Sequence, residues 1–532
     1  MATSDSNVVD LPASLRKRFY EPVVFLYSFR SLLKKQPDGT KPPDLETTSD
    51  SSPKATFFCF VNKLALVCHS KKGRDTITAF AVLQTGPIEY RFASNQRSAQ
   101  ELDDVGRYVT TLLETLGKAE DSEVRDAALR EDSTLFSAVM KQILEFNRAH
   151  IVETHINYQF DTNVDFCIKA CNEAGQKDGS LDIIMGNVLE SLKSLAQRSL
   201  EPYLDDAQFA ERTRQLLRAV SRCYRNDSFK QYMSSQTRED REGAQGTPWT
   251  QVYHGIGRLQ AYTLAVKTFL KARTLWRQLF EDFEVTPVPS SEPGDPPSIR
   301  RSSAGIISRL STDPAVLGAF RTSQQTTGSQ ASDLIAELDK EINKATKRRK
   351  FEPIIHAEVL LSDNILREEQ NSAIVGVGTG DRLRFFKEAD FGRYVGCSKP
   401  SCRLCELYFQ APVATTGRNS MTETNKIQVR PGHQNFYHAW RAPDVLLSDG
   451  QLAVERRNKV LEWMITSIKS EAAMTALQKF AVRSPHDSNT YPSNPFSTDR
   501  GEGSITALDN TSMVGAASVF NDLSSRMGLM RV

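Results

Sequence analysis

A chain poor in both thiols and imidazoles gathers metal-donor side chains into one short stretch. His356 is followed by Ala357 and Glu358, and Gly396-Cys397-Ser398-Lys399-Pro400-Ser401-Cys402-Arg403-Leu404-Cys405 then supplies a Cys-x-x-Cys pair. The 532 residues hold only 8 Cys and 8 His. One imidazole, two thiols and a carboxylate not needed for binding are the inventory of a catalytic zinc site, in which three protein ligands leave the fourth tetrahedral position to water. Any fold for this chain has to bring His356 to Cys402 and Cys405.

Local signals place both halves of the set at helix starts. Val359-Leu360-Leu361 and Ile365-Leu366 follow His356 with helical spacing. Pro400-Ser401 is suited to open a second helix running through Leu404, Leu407 and Phe409, with Cys402 and Cys405 on one face. Thiolates near a helix N-terminus are stabilised by unpaired N–H groups and by the dipole, which favours metal over protons. Tyr394-Val395-Gly396 reads as the end of the strand before them. Cys397 is a third thiol, expected to pack as a small apolar residue, with ligation as the alternative.

Composition restricts the rest. Lys+Arg of 67 against Asp+Glu of 65 gives a formal net charge of +2, so nucleic-acid contact would need a local patch. The densest is Lys344, Lys347, Arg348, Arg349 and Lys350, a phosphate, nucleic-acid or nuclear-import segment or a solvated helix end. Scattered cysteines, a polar start without a signal sequence and no run of about 18 apolar residues point to an intracellular protein, cytoplasmic or nuclear, with no membrane partner.

Patterning divides the chain. Residues 1–55 are a mostly flexible segment with one helix, Leu15 to Leu33, and a polar loop, Gln36 to Pro53. Residues 56–97 are β-like: Thr56–Phe60, Leu64–Cys68, and a hairpin of Thr76–Leu83 with Ile88–Phe92. Residues 98–285 read as a helical region, with helices over Asp103–Leu116, Leu181–Ala196, Phe209–Tyr224 and Val252–Phe283 and a long polar loop from Asn226 to Pro248. A Pro-rich linker, 286–303, leads to the core at 304–482, which carries helices from Ser332 and Leu452, strands at Ile427–Arg430 and Asn435–Trp440, and an inserted loop from Glu368 to Ala389. Residues 483–532 read as a disordered tail. Gly376 to Gly380 lacks the Lys-Ser/Thr of a phosphate loop and reads as flexible insertion. Cys167 and Cys171, like Cys59, Cys68 and His69, are expected in the core.

The order H-x-E followed by C-x-x-C is the signature of the zinc-dependent nucleobase deaminases. Over about 350 to 445 the chain resembles the predicted deaminases of the cytidine deaminase-like superfamily found widely in fungi, the OTT-type group. Two departures are visible: Ser401 stands where the commoner pattern has Pro before the first Cys, and Cys397 is added. The resemblance implies an α/β (α+β mixed) fold, a cytidine deaminase-like mixed sheet flanked by helices, with the helical-bundle region as a large insertion. It also implies Zn2+ held by His356, Cys402 and Cys405, and Glu358 as the proton shuttle of a hydrolytic deaminase. The substrate would be a nucleobase in a nucleoside, a nucleotide or a nucleic acid, single-stranded RNA or DNA included.

Such a sheet starts with a hairpin before the H-x-E helix, and Thr76–Leu83 with Ile88–Phe92 is the candidate. Asn95 would then reach the pocket rim, where several superfamily members place a sugar-contacting Asn. His438 and Trp440 are further candidates for substrate contact, with packed roles as the alternative for them and for His433. The rival reading is a catalytically inactive, zinc-stabilised module whose helical region binds a partner protein.

Overall fold

The computed structural model describes residues 7–33, 52–84, 86–156, 161–176, 180–239, 248–310, 330–347, 351–374, 383–415, 426–432 and 434–477. The tail from 483, the glycine run at 376–380, His433 and positions 348–350 of the basic run lie outside the described residues.

Sequence alternation dictates the sheet. β1 (Thr78–Gln84) and β2 (Ile88–Ser94) form an antiparallel hairpin with Phe80 opposite Phe92, turning at Gly86, whose φ of +130 favours glycine. β1 also pairs antiparallel with β4 (Arg393–Cys397), Ala79 opposite Cys397. β3 (Phe283–Val288) and β5 (Ile427–Val429) add in parallel at the two edges, giving the order β3-β2-β1-β4-β5. The chain is therefore of mixed α/β class. The hairpin lies directly beside the strand that leads to Cys402.

The sheet's two faces differ in side-chain size. Phe80, Val82, Tyr90 and Phe92 share a core with helix α2 (Pro53–Val67) and the long helical region. Ala79, Ala81 and Ala93 line the other face with Ala357, Leu361 and Ile365. Small residues on that face let the helix following His356 lie close against the strands. A third cluster joins α1 (Ala13–Leu33), which is deeply buried rather than part of a flexible segment, to Trp440, Leu404 and the C-terminal helix.

The helical region runs from α3 (Ala99–Lys118) through α4 (Asp121–Leu129), α5 (Thr134–Phe146), α6 (Asp161–Gly175), α7 (Ser180–Ser199), α8 (Asp206–Arg225) and α9 (Asp227–Glu239) to α10 (Pro248–Leu275). It leaves the sheet after β2 and returns to it at β3, the strand beside β2. Beyond it come α11 (Ser303–Leu310), α12 (Gln330–Ala345), α13 (Ala357–Ile374), α14 (Arg403–Thr415) and α15 (Gly450–Leu477).

Several expectations are corrected. Thr56–Phe60 and Leu64–Cys68 are not strands but the two ends of α2, capped by Ser52, whose side chain accepts from Ala55 N, with Pro53 in the first turn. Burial on nearly every side explains an apolar run without helical gaps. The polar stretch after Asn226 is largely α9, capped by the Asn226 side chain and burying Phe229, Tyr232 and Met233. The long helix from Val252 stops at Leu275, and Phe283 begins β3, so the Pro-rich linker starts inside the sheet. The segment from Glu368 first continues α13, and further along Phe386 N–H donates to Val82 O, fastening it to β1. Asn435–Trp440 forms no regular strand, and only Trp440 bridges Ile354.

Gly396 fixes how near α2 comes to β4. A Cβ there would meet Val61 Cγ1 at 2.7 Å, and Val61 C and Asn62 Oδ1 at 2.9 Å. Gly396→Ala is expected to cost about 1–3 kcal/mol through overpacking, seen as a lower urea midpoint. Gly106→Ala on α3, where a Cβ meets nothing within 4 Å, should instead raise the midpoint by up to about 1 kcal/mol.

Candidate metal centre

The metal donors sit at the ends of two helices. The N–H of Leu360 donates to His356 O at 2.9 Å and that of Glu406 to Cys402 O at 3.0 Å, so His356 and Cys402 occupy the capping positions of α13 and α14. Helix α14 begins at Arg403, later than Pro400-Ser401 suggested. Cys405 N–H points at Cys402 Sγ, 3.5 Å away, so this sulfur takes the place of the oxygen of an ordinary N-cap.

The three donor atoms form a small triangle. His356 Nδ1 lies 3.5 Å from Cys402 Sγ and 3.3 Å from Cys405 Sγ, and the two sulfurs are 3.5 Å apart. A tetrahedral zinc with bonds of about 2.3 Å to sulfur and about 2.0 Å to nitrogen spaces its donors by about 3.6–3.8 Å. The triangle is that face, slightly contracted. Among the described residues this is the group of His, Cys, Asp or Glu side chains close enough together to hold a metal ion. The donor set is compatible with zinc.

Electrostatics in the triangle favour an ionised sulfur. Burial opposes ionisation of Cys402, but the Cys405 thiol and the His356 imidazole bonded to it hold Cys402 well below the ordinary thiol value. Burial and the Cys402 charge push Cys405 well up. For His356, burial works against the proton and Cys402 and Glu358 outweigh it. Each thiolate needs a compensating cation in so dry a place.

Glu358 is 3% exposed and lies in the first turn of α13. Burial raises its carboxyl above the usual carboxylate range, the direction that suits a group taking and returning a proton near neutral pH. Cys397 Sγ is 4.0 Å from Glu358 Oε2. Cys397 is buried, lies outside the donor triangle, and burial together with the Glu358 charge pushes its thiol up. Its place is against the carboxylate.

Backbone ties hold the loops. Ser398 N–H donates to Thr78 O at 2.9 Å and Thr78 N–H to Ser398 Oγ at 3.2 Å. Arg430 Nη1 donates to Cys397 O at 3.2 Å. Asn95 is 1% exposed; its Oδ1 accepts from Ala357 N–H at 2.7 Å and its Nδ2 donates to Arg74 O at 2.9 Å. Asn95 therefore lies buried at the start of α13, where it holds the backbone between His356 and Glu358.

His438 and Trp440 occupy packed positions, the alternative held open for both. The His438 ring lies between Tyr27 and Phe351, and its Nε2 pairs with Ala345 O at 2.9 Å. Trp440 is 0% exposed beside Phe19 and Tyr408. The aromatic side chain that does face the donors is Tyr437, 41% exposed, its ring centroid 6.2 Å from that of His356. It sits between the two core-facing neighbours Phe436 and His438, and alternation alone could have singled it out. Arg74, whose charge is felt at His356, is a second group that sequence reasoning passed over.

With the geometry in place, the comparisons are informative over one segment. Residues 355–444 match a family model described as OTT_1508_deam:-like deaminase, and that span contains His356, Glu358, Cys397, Cys402 and Cys405. The chain thus carries a deaminase-like domain, and the match suggests deamination. No curated protein and no solved structure matches the chain.

Two measurements check this site. Asn95→Ala leaves a buried N–H unsatisfied and frees the α13 start, and should weaken metal retention about 10–100-fold, read by competition with a chromogenic chelator. His438 gives a pH signature. Burial holds its imidazole down to about 4 against 6.5, so the unfolded chain takes the proton first. The stability this gives is complete above about 6.5 and is lost as pH falls toward 4, about 2–3 kcal/mol by pH 4.5. Urea midpoints at pH 7.5 and 4.5 should differ less in His438→Gln than in the parent.

Proposed function

We propose that this chain is a zinc-dependent hydrolytic deaminase of the cytidine deaminase-like superfamily, of the type common in fungi, acting on a nucleobase in a nucleoside, nucleotide or nucleic acid. One observation carries the reading: a buried carboxylate, Glu358, beside a donor triangle of His356, Cys402 and Cys405, all within the segment that matches a deaminase family. Zinc bound by that triangle would supply Lewis acidity, lowering the pKa of a bound water to about 7.

The chain's own groups then divide the work. Glu358 accepts one proton from the attacking water and delivers it to the ring nitrogen, then takes the second from the new hydroxyl and delivers it to the departing nitrogen, so that ammonia leaves and a carbonyl remains. Its raised pKa lets it hold the proton between the two transfers. The Asn95 bond to Ala357 N–H keeps Glu358 in register with His356. Tyr437, half exposed next to His356, offers a ring face for a base to stack on.

A second reading, a zinc-stabilised module that binds a protein through its helical region, is favoured by one feature. Phe166, Leu181, Ile183 and Ile184 on α6 and α7 are between 45% and 54% exposed, an apolar patch of the kind that marks interaction surfaces.

Ammonia release from purified, zinc-loaded protein should be detected with at least one member of a panel of nucleosides, nucleotides and single-stranded DNA and RNA. Glu358→Gln should lower that rate at least about 10²–10⁴-fold while the metal content stays at the parent level. Activity undiminished in Glu358→Gln would rule out the mechanism, and no release from any of the panel would favour the binding module.

A further inference from the structure

Beside the metal centre, and separate from its donors, three histidines are buried together where the helical region meets the sheet. His69 follows α2, His150 closes a single turn after α5, and His155 lies in a turn of π-helix, Ile151–Ile156. Their ring centroids are 4.3 Å apart for His69 and His150 and 4.9 Å for His150 and His155. All three are at most 4% exposed. A π-turn is a costly local geometry found mostly at functional positions.

The surroundings are rich in donors and in positive charge. Arg97 is 7% exposed and donates Nη2 to Cys68 O at 2.6 Å and to Ser70 Oγ at 3.2 Å, neither of them a carboxylate. The nearest acid that acts on it, Glu101, is already engaged by Lys71 and the cap of α3. The charges of Lys399 and Arg97 are felt at His69, and those of Arg258 and Lys399 at His155. Tyr108 lies within electrostatic reach of Cys68 and Tyr262, and the Tyr262 ring is 6.0 Å from that of His155.

Among the described residues, several buried polar atoms in this cluster have no hydrogen-bond partner. They are His69 Nδ1, Arg97 Nη1, Tyr108 Oη, Asn147 Oδ1 and His155 Nδ1. Such groups are rare in folded proteins and expensive, each at about 1–3 kcal/mol. Several clustered together indicate something that binds there. A cation is disfavoured by the neighbouring guanidinium groups and lysine. The three histidines also do not meet the donor spacing of a metal group, which among the described residues only His356, Cys402 and Cys405 do. An oxyanion accepts at once from guanidinium, from phenol and from an imidazole N–H such as that of His155. Asn147 Oδ1 and His69 Nδ1 are acceptors, since Asn147 Nδ2 already donates to Val67 O and Ile143 O and His69 Nε2–H donates to Gly73 O at 3.2 Å. They call for an anion that can take up a proton close to neutral pH, as phosphate and its monoesters, with a second pKa of about 6 or above, can and sulfate cannot.

We propose that His69, His150 and His155, with Arg97, Tyr108 and Asn147, form a binding site for a phosphate-class anion, coupled to the metal centre through Lys399 in the loop between Cys397 and Cys402. The anion joins the end of α2, the π-turn and the metal loop, which are far apart in sequence, and so ties the helical region to the centre. The site stands whether or not the metal centre turns substrate over. Two sources share this chemistry: a phosphate carried by a nucleotide, and a phosphate compound resident in the fold.

The test uses the zinc-loaded full chain. Calorimetric titrations with inorganic phosphate, sulfate, a nucleoside 5′-monophosphate and the parent nucleoside are compared with ³¹P NMR of the material released on denaturation. Expected is either one phosphate bound per chain, at least tenfold tighter than sulfate, or one phosphorus compound released per chain. In the first case, competition by the nucleoside monophosphate and none by the nucleoside assigns the phosphate to a nucleotide. In the second, it is resident. Arg97→Gln and His150→Gln should weaken binding or retention at least tenfold with zinc content unchanged. Lys399→Gln, a partly exposed change that leaves the buried packing intact, should weaken it at least threefold. Neither binding nor release from the folded parent would overturn the proposal, as would a second metal equivalent that His150→Gln removes.

Discussion

The hydrogen bonds between β1 and β4 are the constraint on which the rest of the site depends. Pairing Ala79 with Cys397 sets one strand of an early hairpin against a strand more than three hundred residues later. Two bonds between Thr78 and Ser398 extend that pairing into the loop before Cys402. From the far side of the hairpin, Asn95 reaches the start of α13 and bonds Ala357 N–H. One hairpin therefore positions both helix N-termini that carry the metal donors. A sheet residue that shifts β1 shifts His356 and Cys402 together.

The helix ends add electrostatics to this placement. A sulfur at a capping position receives N–H groups and the positive end of the dipole, so an ionised Cys402 is tolerated where burial alone would protonate it. Glu358 adds a second acid in the same dry space, its pKa raised by burial. A divalent cation would balance those charges. Cys397 is kept out of the triangle by the strand that carries it. It ends β4 with its sulfur against Glu358, outside the group formed by His356, Cys402 and Cys405.

Most of this centre was legible in the sequence because ligand chemistry is local. His356, Glu358, Cys402 and Cys405 could be read from residue type and spacing, and the hairpin from alternation around Thr85-Gly86-Pro87. Asn95 could be placed near the site, but its bond to a backbone N–H belongs to tertiary geometry. Where periodicity is lost, reading failed. Helix α2 is apolar on nearly all sides, so Phe57, Phe58 and Phe60 looked like strand residues, although Ser52-Pro53 was a helix-start signal. Helix α9 was hidden by its polar residues, with only Phe229, Tyr232 and Met233 to mark its buried face. His438 and Trp440 left substrate contact and packing both open in the sequence, and they pack, while Tyr437 beside His438 faces His356. The polar cluster at His69, His150 and His155 could not be anticipated, since it joins segments with no shared motif.

The proposed centre has two sulfur ligands and one imidazole, leaving a position for water. Zinc K-edge X-ray absorption of the purified full chain measures that directly. The account predicts a four-coordinate first shell of two sulfur atoms at about 2.3 Å and two nitrogen or oxygen atoms at about 2.0 Å, with the outer-shell scattering of a single imidazole. A shell of three sulfurs, with Cys397 recruited and the water position filled, would contradict it, as would a protein that holds no zinc.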